Sequence, residues 1–307
     1  MDFIPHRVAR HIQVPVFFWV SLFLPLHAES IRVGTYNLEN YLLENRVIEA
    51  RWRPDYPKPE SEKNALREIL LEVNPDILLF QEMGPQPFLE ELRADLQAYG
   101  LFHEYGTVIE AVDPERHLAL LSKLPFELSG DMKGRSFPYF GERIPVKRGL
   151  LEAHFQIGET GFTLFGVHLK SRYTDRKDDP LSAKRRAGEA RTIRNYIREK
   201  FPPEDNPHYL IAGDFNDTRS SATLNYFLSV GKQTLSVMVP AADSRGEVWT
   251  YYYERDDVYS RVDYFLASPA FFPAIQGKRG WIADGEAALA AGDHRMVWID
   301  LALNSGN

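Results

Sequence analysis

Polar and charged residues interrupt a series of apolar runs in this sequence, most of them near the end of the run. Asn37 closes TYN, Glu82 closes LLFQE, His168 falls in GVHLK, and Asp214 and Asn216 sit in IAGDFN. Asp263 lies in RVDYF, and Asp293-His294 precedes the run MVWIDLAL. Each has an ordinary explanation alone, because an Asp after a strand caps a helix, an Asn makes a turn and a His packs in a core. So many such positions at run ends point instead to a shared site. Carboxylate and amide oxygens suit a hard divalent cation such as Mg²⁺ or Mn²⁺. Histidines beside carboxylates suit proton transfer and charge stabilisation. Together these meet the needs of phosphate-ester hydrolysis, in which phosphoryl charge is neutralised, a water is activated for in-line attack and the leaving oxygen is stabilised. The chain has no cysteine, which excludes disulfides, thiolate metal sites and cysteine nucleophiles.

The runs that must position these residues read as strands: 31–37, 76–82, 117–123, 149–157, 162–169, 208–215, 261–268 and 296–303. Several are apolar almost throughout, as expected of strands covered on both faces. Two helices are well signalled. Residues 60–73 carry Ala65, Ile69, Leu70 and Val73 at helical spacing and stop before Asn74-Pro75. Residues 180–200 follow Asp179-Pro180, a cap and first-turn pair, with Ala183, Ala187, Ala190, Ile193 and Ile197 on one face. The alternation of strand and helix without a long linker predicts one α/β domain from residue 29 onward, with polar residues at strand ends where open α/β sheets place their sites.

The order TYNLEN, LLFQE, LLSKLPF, VHLKS, GDFN, RVDYFL and GDH resembles the endonuclease/exonuclease/phosphatase superfamily, over nearly the whole chain from Tyr36 to His294. That resemblance implies a four-layer α/β sandwich, α+β in its segregation, with two packed mixed β-sheets flanked by helices. It implies a metal-dependent phosphoesterase, with Glu82 the leading metal ligand, Asp293 the second, and Asn37 touching the metal's water shell or the phosphate. Glu39 ranks below Glu82 as an outer metal group. By the same resemblance Asp263 hydrogen-bonds His294, Asp214 orients or deprotonates the attacking water, Asn216 donates to the phosphate, and His168 binds phosphate or assists the leaving group. Either Asp214 or His294 could be the base. Lys170 and Arg148 are expected phosphate contacts, weighed against ordinary surface charge. One departure stands out: the usual Ser before the Asp-His pair is Gly292 here.

The 36 Lys and Arg against 43 Asp and Glu give a net charge of −7, which opposes broad attraction to a polyanion. The average hides a contrast, since residues 170–200 hold 11 basic and 5 acidic residues, a local +6. Aromatic clusters at 137–140 (FPYF) and 249–253 (WTYYY) suggest stacking platforms, although the alternation in the second is also that of a strand. At the N-terminus, Arg7 and Arg10 precede the apolar run VPVFFWVSLFLPLHA, which ends at Ala28. The pattern predicts a cleavable secretory signal peptide over 1–28, hence a secreted or periplasmic protein with no stable membrane span. The expected partner is a phosphate-ester substrate, nucleic acid first, and the expected state a monomer. The rival expectations are a phosphatase or phospholipase C-type hydrolase acting on inositol phosphates, sphingomyelin or other small phosphate esters, and a non-catalytic binding module.

Overall fold

Side chains alternate between two destinations along each apolar run. Ile77 and Leu79 enter one core while Leu78 and Phe80 enter another; Leu210 and Ala212 share the first with them while Tyr209 and Ile211 enter a third. Period-2 alternation with both faces apolar forces each strand to be covered on both sides. The computed structural model, which describes Met1 and residues 29–303 apart from Asp131, Lys133 and Asp175, realises this as two sheets packed face to face. The expected signal peptide lies outside the described residues beyond Met1.

In chain order the strands of the two sheets are β1 (Glu29–Tyr41), β2 (Ile77–Met83), β3 (Tyr105–Ile109), β4 (His117–Ser122), β5 (Glu127–Ser129), β6 (Leu151–Ile157) and β7 (Thr160–His168). They continue with β8 (Tyr209–Asp214), β9 (Val237–Met238), β10 (Ala241–Ala242), β11 (Asp263–Ala267), β12 (Ile275–Ile282) and β13 (Val297–Leu303). The first sheet runs β10-β12-β13-β1-β2-β4-β3 and the second β9-β11-β8-β7-β6-β5. Between them sits the central core, with Val33, Leu79, Leu120 and Ile299 from one sheet against Ala153, Leu164, Leu210 and Phe265 from the other. Helices α1 (Glu60–Val73) and α2 (Gln86–Ala98) cover the outside of the first sheet through Leu66, Leu70, Leu89, Leu92 and Leu96. Helices α3 (Ala183–Lys200) and α4 (Ala222–Leu228) cover the second through Ala190, Ile193, Leu224 and Phe227. The order helix, sheet, sheet, helix is the four-layer mixed α/β sandwich expected.

Every strand read from the sequence is present, within four residues at its ends. Helix α3 differs. A 3-10 turn over Pro180–Ser182, with Leu181 and Ser182 in the left-handed region, precedes it, and its buried stripe begins with Arg186 and Glu189 rather than with Ala183. The first turns of this helix face charged loops, not the sheet, so charged residues are buried where alanines were expected.

Topology brings the strand ends together. Strands β1 and β2 are parallel, as are β7 and β8, so Asn37, Glu82, His168 and Asp214 all fall at C-terminal ends on one rim. Strands β13 and β11 run antiparallel to β1 and β8, which places the residues just before or at their N-termini, Asp293, His294 and Asp263, on the same rim.

Candidate active site

Register does much of the positioning. His168 is the direct neighbour of Asp214 across β7 and β8, and Asp214 that of Asp263 across β8 and β11, which sets three side chains side by side. Gly213 makes this possible: its φ is +134°, and a Cβ there would lie 2.0 Å from the Val167 carbonyl oxygen. Only glycine fits so close to the neighbouring strand.

The Oδ2 atom of Asp214 is the hub. Asn37 Nδ2 donates to it at 3.1 Å and Asn216 Nδ2 at 2.8 Å, while His168 Nε2 lies 3.6 Å and His294 Nε2 4.0 Å away. The backbone N–H of Asn216 holds Oδ1 at 2.7 Å. Asn216 adopts φ +52°, the left-handed turn that folds its amide back, and its Nδ2 also donates to the Leu169 carbonyl at 3.0 Å. Both of its contacts therefore orient Asp214 and the loop after β7.

His294 Nδ1 lies 2.9 Å from Asp263 Oδ2, and Asp263 is itself held by its own N–H on Thr250 Oγ1 at 3.1 Å. Burial alone would push the His294 pKa down, but the carboxylates of Asp263, Asp293 and Asp214 overcome it and hold the imidazole well above its usual value. His168 goes the other way. Burial and the charges of Arg148 and His294 keep it well below, and its Nδ1 is buried with no partner. The acidic neighbours of His168 are Glu82, whose Oε1 is 3.7 Å from Nε2, and Asp214.

On the first-sheet side, Glu82 takes φ +60° at the end of β2 and its Oε2 accepts from Asn40 N at 3.1 Å. Asn37 Oδ1 accepts from Glu39 N at 3.1 Å, and Glu39 Oε2 accepts from Asp293 N at 3.1 Å. The role of Gly292 is steric. A Cβ on it would sit 2.8 Å from Glu39 Oε2 and 3.2 Å from Glu39 Cβ, so the glycine makes room for Glu39. Burial and then neighbouring Asp293 raise the Glu39 pKa; burial, with Glu82 and Asp263 adding to it, raises that of Asp293. Burial and the Asp263 charge do the same to Asp214. Carboxylates that raise one another in a buried rim, one of them with an unpartnered oxygen, Asp293 Oδ1, form a donor set that fits a divalent cation. Oxygens of Glu82, Asp293, Asn37 and Glu39 could hold it. Among the described residues, the acidic and histidine side chains that bring one ligand-type atom each within 4.8 Å of one another are Asp214, Asp263 and His294, a spacing that Glu39, Glu82 and Asp293 do not reach together. The His294–Asp263 bond already engages that ring nitrogen, which favours a proton-handling role for this trio.

Arg148 is buried, its Nε on Asp113 Oδ2 at 3.0 Å and its Nη1 without a partner. Lys170 points its Nζ into its own loop, at Ser171 Oγ and the Tyr173 carbonyl. Burial and the nearby charges of Arg148, Arg185 and Lys147 bring its pKa down to about 8. Buried Glu189 of α3 accepts the backbone N–H groups of Lys170 at 2.8 Å and Lys147 at 3.3 Å, tying together the two loops that carry the cations.

Sequence reasoning did not single out Thr250, Asp113, Glu189 or Arg295. Arg295 is buried beside His294, with Nη2 on Asp243 Oδ2 at 2.9 Å, Nε on the Ala283 carbonyl at 2.7 Å and its guanidinium 4.0 Å over the Trp249 ring. A charged residue directly after the Asp-His pair is its only sequence signal.

Comparison with solved structures places the same fold in proteins of low identity. Sphingomyelinase C from Streptomyces griseocarneus matches with a TM-score of 0.61 at 17% identity, covering 89% of this chain and 99% of that one. The human Nocturnin catalytic domain, solved with a bound sulfate anion, gives 0.59 at 17% identity, over 88% and 93%. An endonuclease/exonuclease/phosphatase family protein from Bacteroides thetaiotaomicron gives 0.60 at 18%, over 90% and 98%. Comparison with curated protein sequences found no significant match. Residues 34–294 match the endonuclease/exonuclease/phosphatase family, a span that begins just before Asn37 and ends on His294. The chain belongs to that family of metal-dependent phosphate-ester hydrolases.

Proposed function

We propose that this protein is an exported nuclease that hydrolyses phosphodiester bonds of DNA or RNA with Mg²⁺ or Mn²⁺. The observation that carries the reading is the convergence on Asp214: a buried carboxylate of raised pKa, oriented by two amides, beside an imidazole held charged by Asp263. A group ionising nearer neutrality is suited to take a proton from water, and an imidazole whose pKa is raised by neighbouring carboxylates is suited to meet phosphoryl oxygens in its charged form. This division makes Asp214 the base and His294 the charge stabiliser. His168, neutral and beside both Glu82 and Asp214, is placed to hydrogen-bond a phosphoryl or leaving oxygen, and Arg148 supplies a fixed positive charge behind it. Glu82, Asp293 and Asn37 would hold the metal, with Glu39 accepting the Asp293 N–H. When bound, the cation neutralises phosphoryl charge and stabilises the leaving oxygen.

A polymeric substrate is favoured by the cationic stretch 170–200, which starts two residues after His168. We take the protein to act as a monomer, since one chain supplies the whole proposed site, and to leave the cell through residues 1–28. Among the described residues no helix is long and apolar enough to cross a membrane.

One observation favours a second reading. The hairpin Glu44–Ile48/Arg51–Tyr56, just after Asn40, exposes the cross-strand pair Val47 and Trp52, 66% and 64% exposed. An aromatic and an aliphatic side chain on a projecting hairpin would suit contact with lipid, and so a lipid phosphodiester substrate.

Purified protein assayed with Mg²⁺ and Mn²⁺ on plasmid DNA, RNA, sphingomyelin and phosphomonoesters separates the readings. Nicking or degradation of nucleic acid, abolished by EDTA, is expected. Hydrolysis of sphingomyelin alone would move the assignment to the lipid reading, and hydrolysis of nothing would end the catalytic one. An intact Met1 on protein recovered from its natural compartment would refute cleavage after Ala28.

A further inference from the structure

The WTYYY segment is a strand, but its side chains are not equivalent. Tyr251–Tyr253 pairs with Val258–Ser260 in a hairpin that is bolted to the catalytic loop. Tyr251 bridges to His294, Tyr252 N donates to the Asp293 carbonyl at 2.9 Å, and Arg295 N donates to the Thr250 carbonyl at 2.7 Å. Alternation then divides the residues between two faces. Thr250 and Tyr252 serve the structure: the first holds Asp263, and the second stacks on Tyr259 at 4.5 Å. Tyr251 and Tyr253 share the other face. The Tyr251 ring is centred 4.8 Å from the His294 ring, and Tyr253 continues outward from it at 6.5 Å with the planes 22° apart. Tyr251 is half-buried and Tyr253 is 39% exposed.

Two nearly parallel tyrosine rings thus lead from the His294 imidazole toward solvent. A phosphate held at His294 has a planar surface one ring away, and the group that fills it must be planar, apolar on its faces and tethered to that phosphate. A nucleobase meets all three conditions. A quaternary ammonium headgroup also likes aromatic faces, but it is tetrahedral and has no flat face to lie along the two rings. We infer that Tyr251 and Tyr253 stack the base of the nucleotide whose phosphate lies at His294, which makes the site selective for base-bearing polynucleotides over abasic or lipid phosphodiesters. This deepens the nuclease reading and rests on it.

The test uses the full chain with Mn²⁺ and two single-stranded oligonucleotides of equal length, one of thymidine and one of tetrahydrofuran abasic residues. Wild type, Tyr253→Leu and Tyr253→Trp are compared by kcat/KM. The wild type is expected to prefer the thymidine strand. Tyr253→Leu should cut that preference about tenfold, through KM, whereas Tyr253→Trp should keep it. A preference unchanged in Tyr253→Leu, or absent in the wild type while both strands are cut, overturns the stacking assignment alone. A wild type that cuts neither strand overturns the nuclease reading and the stacking assignment with it.

Discussion

His168 and His294 address the same oxygen from opposite sides of the sandwich seam, their Nε2 atoms 3.6 Å and 4.0 Å from Asp214 Oδ2. Their charge states differ. His168, with no acid on Nδ1, is pushed well below its usual pKa by burial and Arg148. His294, gripped by Asp263, is held well above. If the charged imidazole stabilises the transition state, His294→Ala should lower kcat/KM about a hundredfold or more. Steady-state kinetics on any accepted substrate read this, and a variant as fast as wild type would remove His294 from the chemistry.

Asp263 should act on the pH profile rather than on rate alone. If the imidazolium is the working form, its contribution is present below the raised His294 pKa and lost as pH rises through it. Asp263→Asn removes a charge that raises that pKa, and the alkaline limb of kcat/KM should shift to lower pH. An alkaline limb superimposable on the wild type's would mean that Asp263 only positions the ring.

Metal binding should depend on the first-sheet rim. Calorimetric titration with Mn²⁺ is expected to show affinity reduced at least about tenfold in Glu82→Gln and in Asp293→Asn. Asp263→Asn should retain it. The reverse ranking would place the cation among Asp214, Asp263 and His294 instead.

The buried pair Arg295–Asp243 gives a stability prediction. Burial would raise the Asp243 pKa, but bonds from the Glu247 and Arg245 backbone and from Arg295 hold it down to about 2. Its stabilisation is therefore complete above the unfolded value, near about 4, and is lost as pH falls toward 2. Asp243→Ala strands the Arg295 charge and should cost about 3 kcal/mol at pH 7. Urea unfolding at pH 7 and pH 3 checks both, and the deficit of the variant should shrink at the lower pH.

Not all of the basic helix should matter to substrate. Lys184, Arg191 and Arg198 are exposed, whereas Arg186 is buried between Asp217 and the carbonyls of Lys170 and Leu181. Replacing the three exposed residues by Ala should raise KM for a polymeric substrate, most at low salt. Arg186→Ala should lower the melting temperature instead. A salt-independent KM in the triple variant would make the helix face mere solvated charge.

The sequence made the inner strands and the site residues at their ends legible because burial on both faces leaves long apolar runs that a single polar residue visibly breaks. What covers or edges the sheets was harder to read. Strand β12 exposes Gln276 to Arg279 in succession and carries no alternation, and the Glu44–Tyr56 hairpin buries no apolar stripe. Helix α2 does carry a legible signal, Leu89, Leu92 and Leu96 at helical spacing behind Pro85. The supporting contacts were not readable in principle: Glu39 with Gly292, Arg148 with Asp113 and Glu189 with the Lys170 loop join residues 35 to more than 250 positions apart or act through backbone groups that side-chain types do not reveal.

The hydrogen bond from Asn37 to Asp214 crosses from one sheet to the other. Its 3.1 Å length is about one residue's rise along a strand, so a slip of that size between the sheets would break it. The orientation of Asp214, the proposed base, therefore depends on how the two sheets pack across the central core. Trimming a side chain such as Leu79, which touches no substrate, should slow the reaction by letting the two halves of the site drift apart, and turnover becomes a sensitive gauge of how tightly the sandwich is closed.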